Sequence, residues 1–426
     1  MRPFDQHTHF LGFDWASEHH DAAVVDRQGR VVTQFRFEES SQGWQHFRER
    51  IREFPVLAVA IETSSGPTVD RLLDAGLAVF PVQPLAAKSY RERKAPSGVK
   101  DDQLDAWSLA DALRTDGHGW RTLKPEDPLV LELRLLCRDE HGLIEQRTTL
   151  VLQLQAALRD YYPAALDAFD NWAAESAWDF LEAFPTPGAL QSAGPKSWKK
   201  FLKTHQLTSA ATLDKRQQLF AQASAHKGTI PTIAAKSRLA RTLVHLLRTL
   251  ETDLKLYRKN IQDLYDRHPD RDWFGSLPIN HDAKTAPRLL AELGTDRDRF
   301  DCPNALQCQA GTAPVRVQTG KSRKGQVRRR LACNKYMQFA THWFSDLSRR
   351  RSAWAEAYYK KKRDDGHGHA SALRCLGNRW MKILWQMWQT RTPYDPELHQ
   401  RNQLKHGSWV LQLMPSTACA KPQGSC

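Results

Sequence analysis

Three apolar segments open the chain, and their spacing constrains its fold more than any other feature. They span residues 10–16, 20–26 and 31–37, and the turn residues 27–30 separate the second from the third. Short apolar runs joined by a turn of this kind indicate antiparallel strands. The chain is therefore predicted to begin with a three-stranded meander.

Strand and helix patterns alternate after the meander. Ser40 or Ser41 can cap a helix, and residues 57–61 are typical of a buried strand. A second helix runs to Asp74, and residues 78–82 form a further strand. A meander followed by alternating strands and helices predicts an α/β domain with a mixed sheet.

Four acidic residues lie within or at the ends of these predicted strands and helices. Asp14 lies on the first strand, Glu62 ends the fourth, and Asp102 and Asp105 open a helical segment after the fifth. In a ribonuclease-H-like sheet the first and fourth strands are neighbours, so Asp14 and Glu62 could meet the acids of the helix. Acids at a helix start are also explained by the helix dipole alone, and this alternative stays open for Asp102 and Asp105.

Carboxylates that converge in this way would repel one another unless cations neutralise them. Two Mg²⁺ ions about 3.5–4 Å apart are a common solution in phosphoryl transfer, because they activate the attacking oxygen and stabilise the leaving one. The acids therefore predict a magnesium site. An ATPase of the actin and sugar-kinase type shares this sheet, but it needs glycine-rich phosphate loops, and Gly12 and Gly66 are too sparse for that.

The charge of the chain favours a polyanionic partner. Among its 426 residues, 62 Lys and Arg outnumber 48 Asp and Glu, a formal net charge of +14. Such an excess attracts nucleic acid first and an acidic membrane surface second. The sequence contains no apolar run of about 18 residues, so no membrane helix is predicted. Residues 1–9 do not resemble a secretory signal. The seven scattered cysteines indicate reduced thiols, so we expect a cytoplasmic protein.

Two leucine-rich segments predict long helices in the middle of the chain. Leucines recur at multiples of three and four over residues 129–158 and again over 239–264. This periodicity indicates an antiparallel coiled-coil pair, within the chain or between subunits, or else a simple helical hairpin in one core. Residues 162–230 are predicted to form a small helical insert with a basic side. The basic residues of the insert are Lys196, Lys199, Lys200 and Lys203.

The segment from Arg316 to Arg330 is basic and contains no acid. Glycines interrupt it, so we predict a loop or a loop-to-helix passage. Thr319 and Ser322 lie inside it, and a hydroxyl among cationic groups could attack or bind a phosphate. The alternative is an ordinary basic loop that touches only nucleic-acid backbone. The basic residues of this segment are Arg316, Lys321, Arg323, Lys324, Arg328, Arg329 and Arg330.

A second basic segment surrounds Trp354, Tyr358 and Tyr359. Cations interleaved with aromatic rings suit phosphate contacts combined with stacking on exposed bases. This segment is a second predicted nucleic-acid interface. Its basic residues are Arg349, Arg350, Arg351, Lys360, Lys361, Lys362 and Arg363.

These features together predict four segments. Residues 1–122 form the domain that carries the acids, and residues 123–272 form the long helices with their insert. Residues 273–400 form a mainly α domain, and residues 401–426 are expected to be a flexible tail.

Short motifs in both halves of the chain resemble one family, the DEDD transposases of the insertion sequence 110 (IS110) type. Some members are known as bridge-RNA-guided recombinases. The motifs are GFD at 12–14, IET at 61–63, KDDQLDA at 100–106, RF at 299–300, AGTAP at 310–314 and QTGKS at 318–322.

The resemblance implies a RuvC-type N-terminal domain, a coiled-coil linker and a mainly α transposase domain that supplies a nucleophile. It implies that Asp14, Glu62, Asp102 and Asp105 bind Mg²⁺ and that a covalent protein–DNA intermediate forms. It also implies an element-encoded structured RNA that pairs with double-stranded donor and target DNA. In this family the sites are completed between subunits, which implies dimers that assemble into a tetramer at the bacterial nucleoid.

Several positions depart from the family pattern. Thr319 stands where the family has serine, and its additional methyl group restricts the rotamer of the hydroxyl. We expect Thr319 to be the nucleophile, with Ser322 or an impaired copy as the alternatives. Glycines that the family has at residues 278–281 and before Asn334 are absent. Asp101 stands where the family tends to have Thr or Ser, so we expect Asp102 to be the ligand, with the adjacent Asp101 as the alternative.

Three functions fit this sequence. The first is an RNA-guided transposase with a hydroxyl nucleophile and carboxylate-bound Mg²⁺. The second is a structure-selective nuclease, similar to a junction resolvase, in which water attacks and no covalent adduct forms. The third is a degenerate protein that binds nucleic acid without catalysis.

Overall fold

The computed structural model divides into two compact units, Met1–Asp127 and Pro128–Cys426. The described residues are 3–95, 101–222, 229–279, 284–318 and 326–413.

A five-stranded sheet forms the centre of the N-terminal unit. Its strands are β1 (His9–Trp15), β2 (His19–Asp26), β3 (Val31–Glu38), β4 (Leu57–Ile61) and β5 (Ala78–Pro81). Their order is β3-β2-β1-β4-β5, with β1, β2 and β3 antiparallel and with β4 and β5 parallel to β1. This order is that of the ribonuclease-H-like fold, so the predicted fold class and the predicted neighbourhood of the first and fourth strands are confirmed.

Helices cover both faces of this sheet. They are α1 (Ser41–Ile51), α2 (Pro67–Asp74), α3 (Pro84–Lys94) and α4 (Asp102–Asp116), with short 3-10 helices at Phe4–Gln6 and Gly117–Gly119. The side chain of Ser40 caps α1 by accepting a hydrogen bond from the Gly43 N–H, as predicted. Alternate strand residues face opposite sides: on β1, Phe13 packs in the core with α1 and α2, and Phe10 packs in the core with α3 and α4.

The helix α4 lies directly against β1. A Cβ atom built on Gly12 would be 1.8 Å from the carbonyl oxygen of Ala106 and 2.5 Å from the amide nitrogen of Ala110. Only glycine fits at this position, because both of these atoms belong to the backbone of α4. The contact places the first turns of α4 over the face of the sheet to which Gly12 belongs.

The C-terminal unit is built on two long helices and is mainly helical. Its first ten elements are α5 (Pro128–Tyr161), α6 (Pro163–Ala168), α7 (Glu175–Ala183), α8 (Pro187–Thr204), α9 (Ala210–Gln222), α10 (Ile230–Arg267), α11 (Arg271–Gly275), α12 (Thr285–Leu293), a 3-10 helix (Arg297–Arg299) and α13 (Pro303–Gln309). The remaining elements are β6 (Val315–Val317), β7 (Gln326–Arg328), α14 (Lys335–Arg349), α15 (Ala353–Asp364), α16 (His369–Thr390), α17 (Pro396–Lys405) and a 3-10 helix (Trp409–Leu413).

The two long helices, α5 and α10, run antiparallel within the chain. Ion pairs join Arg147 to Glu251 and Glu140 to Arg258, so rising residue numbers on α5 meet falling numbers on α10. Of the predicted alternatives, the structure has the pair inside one subunit. One end of the pair packs with α6 to α9 around an aromatic core, and the other end packs with α11 to α16.

The described structure differs from the predicted segments in three places. The expectation of a flexible tail from residue 401 is wrong up to residue 413, because α17 and a 3-10 helix form there and Val410 is buried in the core. The N-terminal unit continues past 122, since the Leu123 N–H donates a hydrogen bond to the Val79 carbonyl, 2.7 Å away. The predicted boundary at 272/273 falls inside one shared core, in which Ile261 and Trp273 both pack.

The first basic segment is also more regular than the predicted loop. Its flanks pair as antiparallel strands, with Val315 opposite Arg328 and Val317 opposite Gln326. Residues 319–325 between them lie outside the described residues.

The next two findings, on membrane helices and on cysteines, apply to the described residues. No helix there combines the length and apolar character of a membrane span. The five cysteines there, Cys137, Cys302, Cys308, Cys333 and Cys375, are free thiols.

Candidate active site

The four predicted acids lie around one pocket of the N-terminal unit. Asp14, Glu62, Asp102 and Asp105 all line a cavity of about 290 Å³. Asp14 has the same parity on β1 as Gly12, so it faces α4, and the first turns of α4 carry Asp102 and Asp105. Strand alternation and helix packing thus bring together residues that are far apart in the sequence.

This pocket also contains a fifth acid, which was not predicted from the sequence. Asp21 pairs directly with Asp14 across the β1–β2 ladder and is only 2% exposed. The register of the β1–β2 hairpin is the signal that could have predicted this acid. The numbers of paired residues on the two antiparallel strands add up to a constant, so the partner of Asp14 is residue 21. His19 lines the same pocket from the start of β2.

Two arginines, also missed, hold the carboxylates of the helix. Arg36 on β3 donates hydrogen bonds to Asp102 (3.0 Å) and to both oxygens of Asp21 (3.2 and 3.0 Å). Arg91 on α3 donates to both oxygens of Asp105, at 3.1 and 3.0 Å. These guanidinium groups neutralise part of the negative charge and orient Asp102 and Asp105. Neither contact is visible in the sequence, because each depends on tertiary packing.

The electrostatics of the pocket are concentrated on Asp14. Burial, together with the negative charges of Asp105, Asp102, Glu62 and Asp21, raises the pKa of this carboxyl from 3.8 to about 7. Burial is the largest of these causes. An acid with this pKa is half protonated at neutral pH. Arg36 and Arg91 pair with other acids of the pocket, and the pKa of Asp14 is high in spite of them. A cation bound beside Asp14 would supply the missing positive charge.

The donor set fits a divalent cation. His19, Asp21 and Asp102 offer ligand atoms that all lie within 4.8 Å of one another. This group shares only Asp102 with the four predicted acids. Carboxylate oxygens are the ligands that Mg²⁺ prefers, and the pocket supplies them from β1, β2, α4 and the residue after β4. Oxygen donors with one imidazole are compatible with other divalent metals as well.

Asp101 has a local role in the helix. It is exposed, precedes the first residue of α4, and accepts a hydrogen bond from the Gln103 N–H at 3.4 Å. This is the contact of a helix N-cap. The neighbouring Asp102 instead lines the acidic pocket.

The first basic segment is described only at its flanks. Arg316 and Arg328 lie on the two-stranded ribbon, and Arg329 donates a hydrogen bond to the Gln338 side chain at 2.8 Å. The half-buried Arg330 follows. The predicted site residues Thr319, Lys321, Ser322, Arg323 and Lys324 lie outside the described residues.

The second basic segment forms the end of α14 and most of α15, and many of its cations are paired. Arg349 and Arg350 each contact Asp346 at 2.8 Å, and Lys361 and Lys362 contact Asp365. The other members are Arg351, which is exposed, Lys360, which contacts Glu356, and Arg363, which donates to the His367 carbonyl.

The predicted role of the aromatic rings in this segment is wrong for Trp354 and Tyr358. Trp354 is 8% exposed and Tyr358 6% exposed, and both pack in the hydrophobic core. Tyr359 packs against that core from its edge. Helical periodicity turns Trp354 and Tyr358 inward, where bases cannot reach them, while Lys360 faces solvent.

Comparison with known proteins identifies the class of the chain. Residues 11–163 match the DEDD transposase model of the IS110 type, and residues 282–360 match the transposase family IS116/IS110/IS902. The mini-circle putative transposase for IS117 of Streptomyces coelicolor is 32% identical over 92% of this chain and 97% of that protein. An insertion element IS116 protein of 44.8 kDa from Streptomyces clavuligerus is 26% identical over 91% of this chain and 96% of its own length.

A solved structure, RuvC of T. thermophilus in complex with a Holliday junction substrate, is similar over 28% of this chain and 100% of that one. The identity is 18% and the TM-score 0.22, so the fold assignment rests on the strand order and the family match instead. The chain is a transposase, an enzyme of DNA recombination. It belongs to the IS116/IS110/IS902 family of insertion-sequence transposases, and the resemblance found in the sequence is confirmed.

Proposed function

We propose that this transposase cleaves and rejoins DNA with Mg²⁺ held by Asp14, Glu62, Asp102 and Asp105. The observation that carries the proposal is the convergence of these carboxylates on one pocket, where burial and their charges raise the pKa of Asp14 to about 7. When bound, the cation would polarise the scissile phosphate and lower the cost of its developing charge. Asp21, which pairs with Arg36, lies opposite Asp14 on the neighbouring strand.

Arg36 and Arg91 orient the carboxylates of α4 in this proposal. Each holds an acid at hydrogen-bond distance, so Asp102 and Asp105 lose little side-chain entropy when they bind a cation. The side chain of Arg36 also neutralises the buried Asp21. Because both arginines compete with a cation for carboxylate oxygens, the proposed site would bind Mg²⁺ more weakly than four unpaired acids.

A neighbouring pair of acids provides the test of the metal ligands. Asp102→Asn removes a carboxylate from the pocket, and we expect it to abolish strand cleavage and to weaken Mg²⁺ binding in calorimetry by at least about tenfold. Asp101→Asn is the matched control, because asparagine is an equally good N-cap. Undiminished cleavage by the Asp102 variant, or equal losses in both, would overturn the assignment.

We infer that Thr319 is the nucleophile, a proposal that rests on its place in the family motif. Its hydroxyl oxygen would form a bond to phosphorus while the bond from phosphorus to the leaving DNA oxygen breaks. The leaving oxygen takes up a proton to become a DNA hydroxyl, and Thr319 gives up its own. The product is a phosphodiester between protein and DNA, which conserves the bond energy for rejoining.

Trapping of DNA on the protein under denaturing conditions tests the nucleophile. We expect Thr319→Val, which removes the hydroxyl at similar volume, to form no covalent adduct, while Ser322→Ala still forms it. An adduct in Thr319→Val that disappears in Ser322→Ala would assign the role to Ser322. Cleavage without any adduct would support attack by water, as in a junction-resolving nuclease, and a protein that cleaves no substrate would be a degenerate copy.

We further propose that a structured RNA, encoded beside the gene, guides the enzyme to double-stranded donor and target DNA at the nucleoid. Membership of the family and the net charge of +14 support this. Strand cleavage should then require an added transcript of the flanking non-coding DNA, and cleavage by RNA-free protein would contradict it. We propose dimers that assemble into a tetramer, which light scattering of the protein with and without nucleic acid can measure.

A further inference from the structure

The second half of α8 carries four lysines on one side. Lys196, Lys199, Lys200 and Lys203 are spaced by three, four and seven residues from the first, which places them on one face of a helix. All four are exposed. We call this set the lysine stripe.

The opposite side of the same helix fixes the direction in which the lysine stripe faces. Trp198, Phe201 and Leu202 are all buried in the aromatic core of the insert. A kink at Gly194, where φ is 76°, separates this half of α8 from the first half. The buried rings therefore hold a separately oriented helical segment with its lysines toward solvent.

Acidic residues are absent from the sequence that surrounds the lysine stripe. Residues 184–213 contain no Asp or Glu, and none of the four lysines forms an ion pair with a described residue. Three other lysines of this unit, by contrast, have acidic partners: Lys215 contacts Asp170, Lys236 contacts Asp160 and Lys255 contacts Glu175.

Helix stability does not explain the lysine stripe. Like charges three and four residues apart destabilise a helix, and the stripe contains four such pairs. Lys203 lies in the last turn, where a cation complements the helix dipole. Lys196, however, lies in the first turn after the kink, where a cation opposes that dipole. A polyanionic partner would offset both of these costs.

We propose that the lysine stripe binds the phosphate backbone of double-helical DNA without regard to sequence. Seven residues of helix extend about 10 Å, comparable with about three base-pair steps of a duplex at roughly 3.4 Å each. Residues 184–213 contain no Arg, whose planar fork suits bidentate recognition, whereas a lysine ammonium group contacts phosphate as a point charge. The partner is DNA because the chain belongs to a family of DNA transposases.

Salt dependence of DNA binding tests this proposal. A triple variant, Lys196→Gln, Lys199→Gln and Lys203→Gln, is compared with a matched control, Lys215→Gln, Lys236→Gln and Lys255→Gln, which removes the same charge from paired lysines. Full-length proteins are titrated against a fluorescent DNA duplex in EDTA over a range of KCl concentrations. Since no metal or catalysis is involved, failure of this test is distinguishable from failure of the proposed chemistry.

Each lost phosphate contact lowers the slope of log K against log salt by about 0.9. We expect the stripe variant to lose a slope of about 2–3 and at least about tenfold in affinity at low salt, with a melting temperature no lower than that of the parent. The control variant should change the slope by less than about 1. Equal changes in the two variants would overturn the proposal.

A hairpin RNA of the same length identifies the partner. If the stripe variant loses affinity for the RNA while its affinity for the DNA duplex is unchanged, the assignment to DNA is wrong. A loss for DNA at least as large as that for RNA supports it.

Discussion

At neutral pH Asp14 carries a proton about half of the time in the metal-free protein, because its pKa is about 7. In the unfolded chain the same group titrates near 3.8. The folded state therefore favours the protonated form. The stability that belongs to this group is fully present below pH 4 and is lost as the pH rises through 7.

Substitution of Asp14 by Asn tests this relation. In EDTA the free energy of unfolding of the wild-type N-terminal unit should fall between pH 5 and pH 8, and Asp14→Asn should remove this part of the pH dependence. At pH 8 the variant should be more stable by about 1–3 kcal/mol, allowing for solvent screening. Denaturant titrations at both pH values measure it. The control Asp101→Asn should keep the wild-type slope, and a slope that persists in Asp14→Asn would show that a different group titrates.

The sequence predicted the acids of the pocket unevenly. Asp14 and Glu62 were predicted because strand order and alternation place them without knowledge of other contacts. The position of Asp21 opposite Asp14 depends on the register of the hairpin. The turn after β1 sets this register, and amino-acid composition does not reveal it. Arg91 meets Asp105 only through the packing of α3 on α4, which no local pattern encodes. Thr319 stays a prediction.

Among the secondary-structure elements, the contact of β1 with α4 sets the position of the acids on the helix. Gly12→Ala would place a methyl group against the backbone of Ala106 and Ala110, neither of which can move without shifting α4. We expect a loss of at least about 2 kcal/mol in denaturant unfolding together with weaker Mg²⁺ binding. Gly119→Ala is the control, because no atom lies within 4 Å of its added Cβ. A fully stable Gly12→Ala would show that this contact is looser than described.

The pairing of α5 with α10 depends on buried charge as well as on leucines. Glu140 is 1% exposed and accepts hydrogen bonds from Arg258 at 3.2 Å and from Arg288 of α12 at 2.8 Å. Leucine periodicity predicted both helices and their antiparallel pairing. It left the partner open, because the same leucines would pack between subunits. The ion pairs between α5 and α10, which join the two helices within one subunit, are visible only in the three-dimensional structure.

Removal of the Glu140 charge tests the importance of these contacts. Glu140→Gln keeps the shape but removes the counter-charge of the half-buried Arg288 and leaves Arg258 with Glu251 alone, and it should destabilise the C-terminal unit by about 3–5 kcal/mol. The exposed Glu145 on the same helix is the control, since an exposed ion pair contributes at most about 1 kcal/mol. Thermal unfolding of the full chain with each substitution measures the difference. Equal effects of the two would rule out a special role for the buried pair.

At the scale of the whole molecule, the N-terminal unit contains all of the described residues that form the acidic pocket. Both of its apolar cores consist of residues within Met1–Asp127, one on each face of the sheet. The predicted domain ended at residue 122, five residues short of this boundary. The last segment escapes prediction because it joins the sheet by a backbone hydrogen bond of Leu123, which leaves no signature in the sequence.

A protein comprising residues 1–127 should therefore fold by itself. We expect one cooperative unfolding transition, Mg²⁺ affinity within about twofold of the full chain, and the same rise in stability for Asp14→Asn at pH 8. It should form no covalent adduct with DNA, because it lacks Thr319 and Ser322. A companion protein ending at residue 122 should be less stable, since it loses the hydrogen bond from Leu123 to Val79 and the apolar contacts of Leu123. Equal stability of the two proteins would show that the unit ends where the sequence predicted, and a 1–127 protein without cooperative unfolding would show that its two cores need the rest of the chain.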